Sequence, residues 1–180
     1  MRAGDGGARG VGLAMKGVLC LLVVLGALAA PVLARRTPGA GDEAPPFSLP
    51  DLEGRPVSLA SFKGRLVILH FWATWCPVCR DEMPILEEAA RARATAVVVL
   101  GVNLGEKREK VAAYVRDAAI TFPILLDARG RVASAYGVLA LPITIIVGRD
   151  GRIADAVRMG SLDRASLDER LTRLLRAGPD

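Results

Sequence analysis

The sequence predicts an α/β sandwich, and three observations lead to that fold class. Two near-continuous apolar runs, LVILHFWA and AVVVLGVNL, are typical of strands buried on both faces of a sheet. Segments with helical periodicity alternate with these runs along the chain. Two further strands then flank Asp150-Gly151, the best hairpin turn in the sequence. Strands that alternate with helices and finish in a hairpin indicate helices packed on a central sheet.

The pattern of charged and apolar residues in positions 1–34 predicts an export leader. Lys16 precedes an uncharged apolar stretch of 18 residues that ends at Ala34, and two arginines follow. Small residues near its end suit a cleavage site, which would free a chain that starts at Arg35. The alternative is an uncleaved membrane anchor, because 18 residues lie at the short end of a membrane span. In both cases the domain is exported, and Met15 is an alternative start.

The domain is predicted at residues 45–180, after a linker at residues 35–44 that is rich in Pro and Gly. Two short extended pieces, residues 47–49 and 57–59, flank the turn signal Glu53-Gly54. The first buried strand, LVILHFWA, follows them.

Helices and strands alternate through the rest of the domain. A helix is predicted from Pro77 to about residue 93, with a kink at Pro84. After the second buried strand, residues 106–119 predict a charged amphipathic helix, FPILLD a short apolar piece and RVASAYG a short helix. Ser161 or Asp163 is expected to cap the last helix. Its apolar face carries Leu167, Leu171, Leu174 and Leu175.

Cysteine and histidine are scarce, which narrows the chemistry. The chain has three cysteines, Cys20, Cys76 and Cys79, and one histidine, His70. A structural zinc site needs four Cys or His ligands, and Cys20 lies in the leader. A bridge between Cys76 and Cys79 closes too short a loop to stabilise a small domain by itself. The formal charge of +5, or +3 without the leader, is too mild to indicate nucleic acid. Redox chemistry remains.

The stretch FWATWCPVCRDEMP lies at the predicted junction of a strand and a helix. Cys76 is the expected N-cap, and Pro77 is the first helical residue, where its missing N–H costs nothing. Unpaired helix N–H groups and the helix dipole favour a thiolate there, lowering the pKa of Cys76 below about 8.5. We expect Cys76 to be the exposed nucleophile and Cys79, facing inward, to resolve the mixed disulfide. The alternative is a structural pair of half-buried thiols.

Four segments resemble the exported thioredoxin-like proteins of the TlpA/ResA/CcmG group. They are APPFSLPDLEGRPVSLASFKGR, FWATWCPVCRDEMP, VNLGEKREKVAAYVRDAAITFPILLD and YGVLALPITIIVGRDGRI. The similarity covers roughly residues 44–176. It implies a thioredoxin-like three-layer sandwich with an N-terminal β-hairpin and an inserted central helix near residues 106–118.

The resemblance also implies substrate-binding residues around the cysteines. Leu141-Pro142 matches the loop whose proline is cis and faces the redox pair, where backbone groups would hold an extended peptide. The alternative is an ordinary trans proline that opens a strand. The expected substrate-binding residues are Trp75, Pro77, Leu141 and Pro142. Trp75 is expected to shield Cys76, and Trp72 to pack in the core.

Two residues are candidates for proton transfer. Glu82 shares a helix face with Cys79 and matches the acidic residue that the family carries just after its C-x-x-C. Its expected role is to accept a proton from the cysteine pair or to set the pKa of the pair, and the alternative is a solvated helix glutamate. His70 stands where thioredoxin has aspartate and these relatives more often have asparagine. Its unperturbed pKa near 6.5 suits a proton relay. The alternative is a buried, hydrogen-bonded core histidine.

The function implied by the resemblance is reduction of disulfides in exported proteins, with the haem-site cysteines of apocytochrome c as leading substrate. A reductase in an oxidising compartment needs an electron supply, for which the resemblance suggests a membrane thiol carrier of the CcdA/DsbD kind. The domain would be periplasmic, or anchored on the extracytoplasmic side, and would need no cofactor or metal. A thiol peroxidase of the same fold is an alternative, although its Pro-x-x-x-Thr-x-x-Cys spacing is absent. A metal-delivery or binding module is the other.

Overall fold

The computed structural model describes residues 36–157 and 162–177. The predicted leader, with Cys20 and Met15, lies outside the described residues, and so does Ser161. Within the described ranges, no helix is both long enough and apolar enough to cross a membrane.

Strands and helices alternate along the described chain as the sequence predicts. A single 3-10 turn, Leu59–Phe62, follows the second strand. The elements are β1 (Ser48–Pro50), β2 (Pro56–Ser58), β3 (Leu66–Trp72), α1 (Pro77–Ala92), β4 (Val97–Leu104), α2 (Arg108–Asp117), β5 (Ile124–Asp127), α3 (Arg131–Ala135), β6 (Ile143–Val147), β7 (Ile153–Val157) and α4 (Arg164–Arg176).

A five-stranded sheet in the order β5-β4-β3-β6-β7 forms the centre of the domain. Strands β3, β4 and β5 pair in parallel, whereas β6 is antiparallel to β3 and β7 is antiparallel to β6. The first two strands form a separate antiparallel hairpin. The predicted α/β sandwich and its N-terminal hairpin are therefore confirmed.

Two hydrophobic cores cover the two faces of the sheet. Alternate residues of β3 face opposite ways, so that Ile68 contributes to one core and Leu69 to the other. The first core includes residues of α1, α2 and α4, and the second includes residues of the hairpin and α3. Val111 of α2 is fully buried in the first core, which fixes the inserted helix on the same face as α1. Three layers result, as predicted.

The register brings three chain segments to one end of the sheet. Phe71, near the end of β3, pairs with Ile143 at the start of β6, and Trp72 pairs with Asn103 near the end of β4. The segment from β3 into α1, the residues after β4 and the residues before β6 therefore meet at this end, which we call the redox end.

The predicted linker is wrong in its last residues. The Gly41 N–H donates to Ile153 O at 2.8 Å, the Ile153 N–H donates to Asp42 O at 2.9 Å, and Ala44 is 4% exposed. Residues 41–44 thus pack against the start of β7, and the domain begins before residue 45. The Asp42 carboxylate stabilises this segment by accepting the Gly39 N–H, a local turn that its Pro and Gly content did not distinguish from a linker.

Most other bounds differ from prediction by one or two residues. Helix α1 runs through Pro84, and its predicted kink stays a prediction. Asp163 caps α4 as expected, because its side chain accepts the Ser166 N–H. The leucine face of α4 packs as predicted, with Leu167 and Leu171 buried and Leu174 and Leu175 partly buried against the first core.

Candidate redox site

Cys76 and Cys79 form a disulfide at the N-terminus of α1. Cys76 is the N-cap, and its Sγ accepts the Cys79 backbone N–H at 3.2 Å. Pro77 is the first helical residue, as predicted. The Cys76 sulfur therefore lies where the unpaired N–H groups and the dipole of α1 stabilise negative charge, which is the electrostatic condition for a reactive thiolate.

The two sulfurs differ in burial less than the sequence predicts. Cys79 is fully buried, as expected, but Cys76 is only 5% exposed. The prediction of an exposed Cys76 is wrong for this oxidised state, because its sulfur is bonded to the buried Cys79 sulfur and lies against the first turn of α1. Cys76 is still the more accessible of the two, at the surface end of the pair.

Glu82 lies one helical turn beyond Cys79 and is 2% exposed. The alternative of a solvated helix glutamate is therefore wrong. Its Oε1 accepts the Leu162 backbone N–H at 2.7 Å, and its Oε2 is buried without a hydrogen-bond partner among the described residues. Burial raises the pKa of this carboxyl above its ordinary value, although the bond from Leu162 opposes the shift. Burial therefore favours the protonated form of this carboxyl, and Oε2 is the oxygen that is free to take the proton.

His70 lies on β3 beneath Glu82 and is fully buried. Its Nδ1 is 3.0 Å from Thr144 Oγ1 and 3.7 Å from Glu82 Oε2. Burial lowers its pKa to about 3, so the expectation of an unperturbed value near 6.5 is wrong. The imidazole is neutral at neutral pH, and the contact with Glu82 is not an ion pair under those conditions. The position matches the alternative reading of a buried core histidine with a hydrogen-bonding partner.

The residues expected to bind substrate lie at the same end of the sheet. The Leu141-Pro142 peptide bond is cis, as the resemblance implies, and it directly precedes β6. Pro77 is exposed, and Trp75 is 66% exposed. The predicted shielding of Cys76 by Trp75 stays a prediction. Trp72 is fully buried against Tyr114, which confirms its core role.

Two apolar residues near the cysteines were not identified from sequence. Val78 is 43% exposed and Leu139 is 95% exposed, and with Trp75 they are the exposed large hydrophobics of the described residues. Val78 lies between the two cysteines in α1, and Leu139 precedes the cis proline by three residues. The large exposed apolar side chains of the described residues thus lie in the two segments that meet at the redox end, the one that carries the disulfide and the one before β6. Hydrophobic patterning does not reveal such residues, because an apolar residue that faces solvent looks the same in the sequence as one that faces the core.

Glu106 is the other residue that sequence reasoning missed. Its carboxylate accepts hydrogen bonds from the Thr74 backbone N–H and hydroxyl, both at 2.6 Å, and from Asn103 Nδ2 at 2.9 Å. Lys110 Nζ adds a fourth contact at 2.7 Å. Although burial alone would raise it, these bonds lower the pKa of Glu106 to about 2. The charged residues around Glu106 in the sequence gave no sign that it reaches the segment before Cys76.

Among the described residues, no three His, Cys, Asp or Glu side chains are grouped to hold a metal ion. What the site offers is a dithiol/disulfide pair with two unlike sulfurs, one at a helix N-terminus and one buried near a carboxylate. That arrangement supports thiol-disulfide exchange in two ordered steps.

Comparison with known proteins agrees with this geometry. Residues 40–156 match the AhpC/TSA family. The chain is 40% identical to the thioredoxin-like protein YneN of Bacillus subtilis over 134 residues, covering 73% of this chain and 78% of that protein. It is 34% identical to the thiol-disulfide oxidoreductase ResA of Geobacillus thermodenitrificans over 165 residues, covering 88% and 94%. The crystal structure of a thiol:disulfide interchange protein of the thioredoxin family from Chlorobium tepidum superimposes with a TM-score of 0.68 at 26% identity, covering 74% of this chain and 96% of that one. These similarities confirm the predicted thioredoxin-like fold.

Proposed function

This chain belongs to the AhpC/TSA family, and from that premise we propose that it reduces disulfides in exported proteins. It is a thiol-disulfide oxidoreductase, as its relatives of the ResA type are named. The observation that carries the proposal is the Cys76–Cys79 disulfide at the N-terminus of α1, one turn from a buried carboxylate with a free oxygen.

The first step is attack by the Cys76 thiolate on one sulfur of a client disulfide. The client S–S bond breaks, its leaving sulfur takes a proton, and Cys76 becomes joined to the client in a mixed disulfide. The N-terminus of α1 favours the thiolate form that this step needs.

The second step is attack by Cys79 on the Cys76 sulfur. Cys79 must first lose its proton, and full burial raises the pKa of a thiol and leaves little thiolate at neutral pH. Glu82 Oε2 accepts that proton, since it is buried on the same helix face and has no other partner among the described residues. The bond between Cys76 and the client breaks as the Cys76–Cys79 disulfide forms. The client sulfur leaves as a thiolate and takes a proton from water, and Glu82 gives its proton back to water. Two electrons have then passed from the dithiol to the client.

The client would dock on the redox end of the domain. Trp75, Pro77, Leu141 and Pro142 are the proposed contacts, and the exposed Val78 and Leu139 extend the same apolar surface. The backbone around the cis proline lies beside the end of β3, so an extended client segment could pair there as an added strand. The haem-site cysteines of apocytochrome c are the proposed client thiols.

Electrons would return to the Cys76–Cys79 pair from a membrane thiol carrier of the CcdA/DsbD kind. An exported compartment is oxidising, so a reductase there needs a dedicated donor. The export leader predicted at residues 1–34 supports an extracytoplasmic location, which we propose for this domain.

The peroxidase alternative finds little support in the geometry of Thr74. Its hydroxyl donates to Glu106 at 2.6 Å and is therefore already committed, rather than free to donate to a peroxide at Cys76. Peroxide consumption without a protein disulfide substrate would nevertheless favour that alternative.

The deciding experiment is the equilibrium reduction potential of the Cys76–Cys79 couple against glutathione. A value near that of thioredoxin, about −270 mV, is expected for a reductase. A value near that of a strong oxidant, about −120 mV, would reverse the proposed direction of electron flow.

A further inference from the structure

The Glu106 carboxylate joins the inserted helix to the segment that carries Cys76. Each of its oxygens accepts two hydrogen bonds: Oε1 from the Thr74 hydroxyl and Lys110, and Oε2 from the Thr74 backbone N–H and Asn103. The side chain is only 7% exposed. A buried carboxylate with four donors has one well-defined position.

The residue that Glu106 holds belongs to the turn that presents the nucleophile. The Cys76 N–H donates to Ala73 O at 3.2 Å, which closes a turn with Thr74 at its second position. Two bonds to one carboxylate fix both the backbone and the side chain of Thr74. Glu106, which belongs neither to β3 nor to α1, therefore sets the path of the chain from the end of β3 to Cys76.

The same carboxylate is itself anchored to the sheet. Asn103 is 1% exposed and pairs with Trp72 in the register of β3 and β4. Its Nδ2 donates to Glu106 Oε2. The end of β4, the start of the inserted helix and the turn before Cys76 thus converge on one side chain.

We propose that Glu106 is a positioning residue for the redox reaction, holding the Ala73–Cys76 turn so that the Cys76 sulfur caps α1. This inference rests on the proposed function, because it gives that reaction a residue which acts through Thr74 and touches neither sulfur. The thiolate gains from the helix N-terminus only while Cys76 keeps its N-cap position.

A second contact of the same kind provides a matched control. Glu87 of α1 accepts the Thr121 backbone N–H at 2.8 Å and the Thr121 hydroxyl at 2.6 Å, and it also accepts from Arg91 Nε. Like Glu106, Glu87 therefore binds both the backbone N–H and the hydroxyl of a threonine and also contacts a cationic side chain. Its threonine lies after the inserted helix rather than before Cys76, so losing Glu87 removes the same bonds without releasing the redox turn.

The two ways in which Glu106 can act on Cys76, by positioning it or by its negative charge alone, predict opposite changes in the pKa of the Cys76 thiol when Glu106 is removed. If Glu106 acts by position, Glu106→Ala frees the turn and raises the pKa of the Cys76 thiol. If it acts only as a nearby negative charge, its removal lowers that pKa. Glu106→Gln separates the two, since its amide oxygen still accepts from Thr74 N–H and Asn103 while its amide nitrogen donates to the Thr74 hydroxyl.

The test is the pH profile of iodoacetamide alkylation at Cys76 in the reduced full-length chain, read at that site by mass spectrometry. We expect Glu106→Ala to raise the midpoint by about half a pH unit, as loss of a helix-terminus interaction implies. Thr74→Val, which removes the hydroxyl donor alone, should shift it less in the same direction. Glu106→Gln and the control Glu87→Ala should stay near wild type, and client reduction by Glu106→Ala should fall by roughly tenfold or more.

A downward shift in both Glu106→Ala and Glu106→Gln would overturn the proposal in favour of charge alone. An unchanged midpoint in Glu106→Ala, or the same shift in Glu87→Ala, would reduce Glu106 to a contributor to stability. If Glu106→Ala does not fold, Thr74→Val still decides, because an unchanged midpoint there counts against positioning. The alkylation profile needs neither client nor electron donor, so its outcome is independent of the reduction potential that tests the proposed function.

Discussion

At the scale of single residues, the two cysteines share one turn of helix but have different surroundings. Cys76 is the N-cap, where N–H groups and the helix dipole stabilise a thiolate. Cys79 is fully buried on the face that also carries Glu82, above the neutral His70. One sulfur is thus suited to attack and the other to wait until a mixed disulfide gives it a target. The proposed division of roles between the two sulfurs would give the exchange its order of steps.

The trapping behaviour of the two cysteine variants tests this division. Cys79→Ser should leave Cys76 able to attack and unable to resolve, so that mixed disulfides with client proteins accumulate. Cys76→Ser should trap almost none, because the remaining thiol is buried. Non-reducing electrophoresis of client mixtures measures both. Equal trapping by the two variants would contradict the assignment of nucleophile and resolving cysteine.

The role of Glu82 is tested by Glu82→Gln, which keeps the acceptor for the Leu162 N–H and removes the proton acceptor. Resolution should slow by about a hundredfold, the usual scale of general-base catalysis. In the wild-type chain the resolution rate should rise with pH as Glu82 ionises. The midpoint of that rise should lie above pH 4.5, the ordinary pKa of a glutamate, because burial raises the pKa of Glu82. The variant should lack that rise. Stopped-flow measurement of mixed-disulfide resolution across pH gives the comparison.

Stability supplies an independent check on Glu82. A carboxyl whose pKa is raised in the folded state contributes stability below its unfolded pKa, and this contribution is lost as pH rises through the folded pKa. Urea unfolding should therefore show that the free energy of unfolding of Glu82→Gln increases relative to that of wild type as the pH rises above the ordinary carboxyl value of 4.5. Unchanged resolution together with this stability shift would leave Glu82 a structural acceptor for Leu162 only.

Sequence reasoning reached the residues that lie near one another along the chain. Cys76, Cys79 and Glu82 fall within two turns of one helix, so spacing alone places them together. The Glu106–Thr74 contact spans 32 residues and depends on how the inserted helix sits on the sheet, which no local pattern encodes. The expected pKa of His70 is wrong for the same reason, because burial in the folded domain lowers that pKa and the residue type alone does not reveal the burial.

At the scale of elements, the inserted helix is joined to the redox elements at both of its ends. Glu106 before it bonds Thr74, and Thr121 after it bonds Glu87 of α1. Its buried Val111 packs in the core that also contains both cysteines. Amphipathic periodicity was enough to predict the helix itself. Its attachments come from polar residues in the flanking turns, which the hydrophobic pattern does not locate.

Strand β4 passes close beneath this region and needs a glycine to do so. A Cβ at Gly101 would lie 2.5 Å from Ile124 Cδ1, 3.1 Å from Trp72 Nε1 and 3.2 Å from the Phe122 ring. Gly101→Ala should therefore destabilise the fold by about 1 to 3 kcal/mol through overpacking. Urea unfolding measures the loss.

A second substitution separates this clash from a general effect of alanine in the strand. Ile124→Val removes the Cδ1 atom that lies nearest to the added methyl group. The double variant should be more stable than the sum of the two single changes predicts, since the pair is in direct contact. Strict additivity would show that the close approach of β4 and β5 does not limit this position.

At the scale of the whole molecule, one end of the sheet carries the redox site and the opposite end is covered by the N-terminal segment of the domain. The redox end gathers the disulfide, the cis proline and the exposed apolar residues at the end of β3 and the start of β6. At the opposite end, Val147 pairs with Ile153, and residues 41–44 run alongside the start of the edge strand β7. This N-terminal segment covers backbone groups that an edge strand would otherwise leave unpaired.

Shortening the chain tests this separation. A chain that begins at Pro45 loses the bonds that join residues 41–44 to residues 151–153, whereas one that begins at Arg36 keeps them. At a typical net value per hydrogen bond, the three main-chain bonds imply a loss of about 2 to 4 kcal/mol in the free energy of unfolding. The alkylation profile of Cys76 should be the same in both chains, because the removed segment lies at the far end of the sheet. A stability loss accompanied by a shifted thiol midpoint would show that the two ends are coupled; equal stability would show that the predicted linker boundary near residue 45 describes the energetics after all.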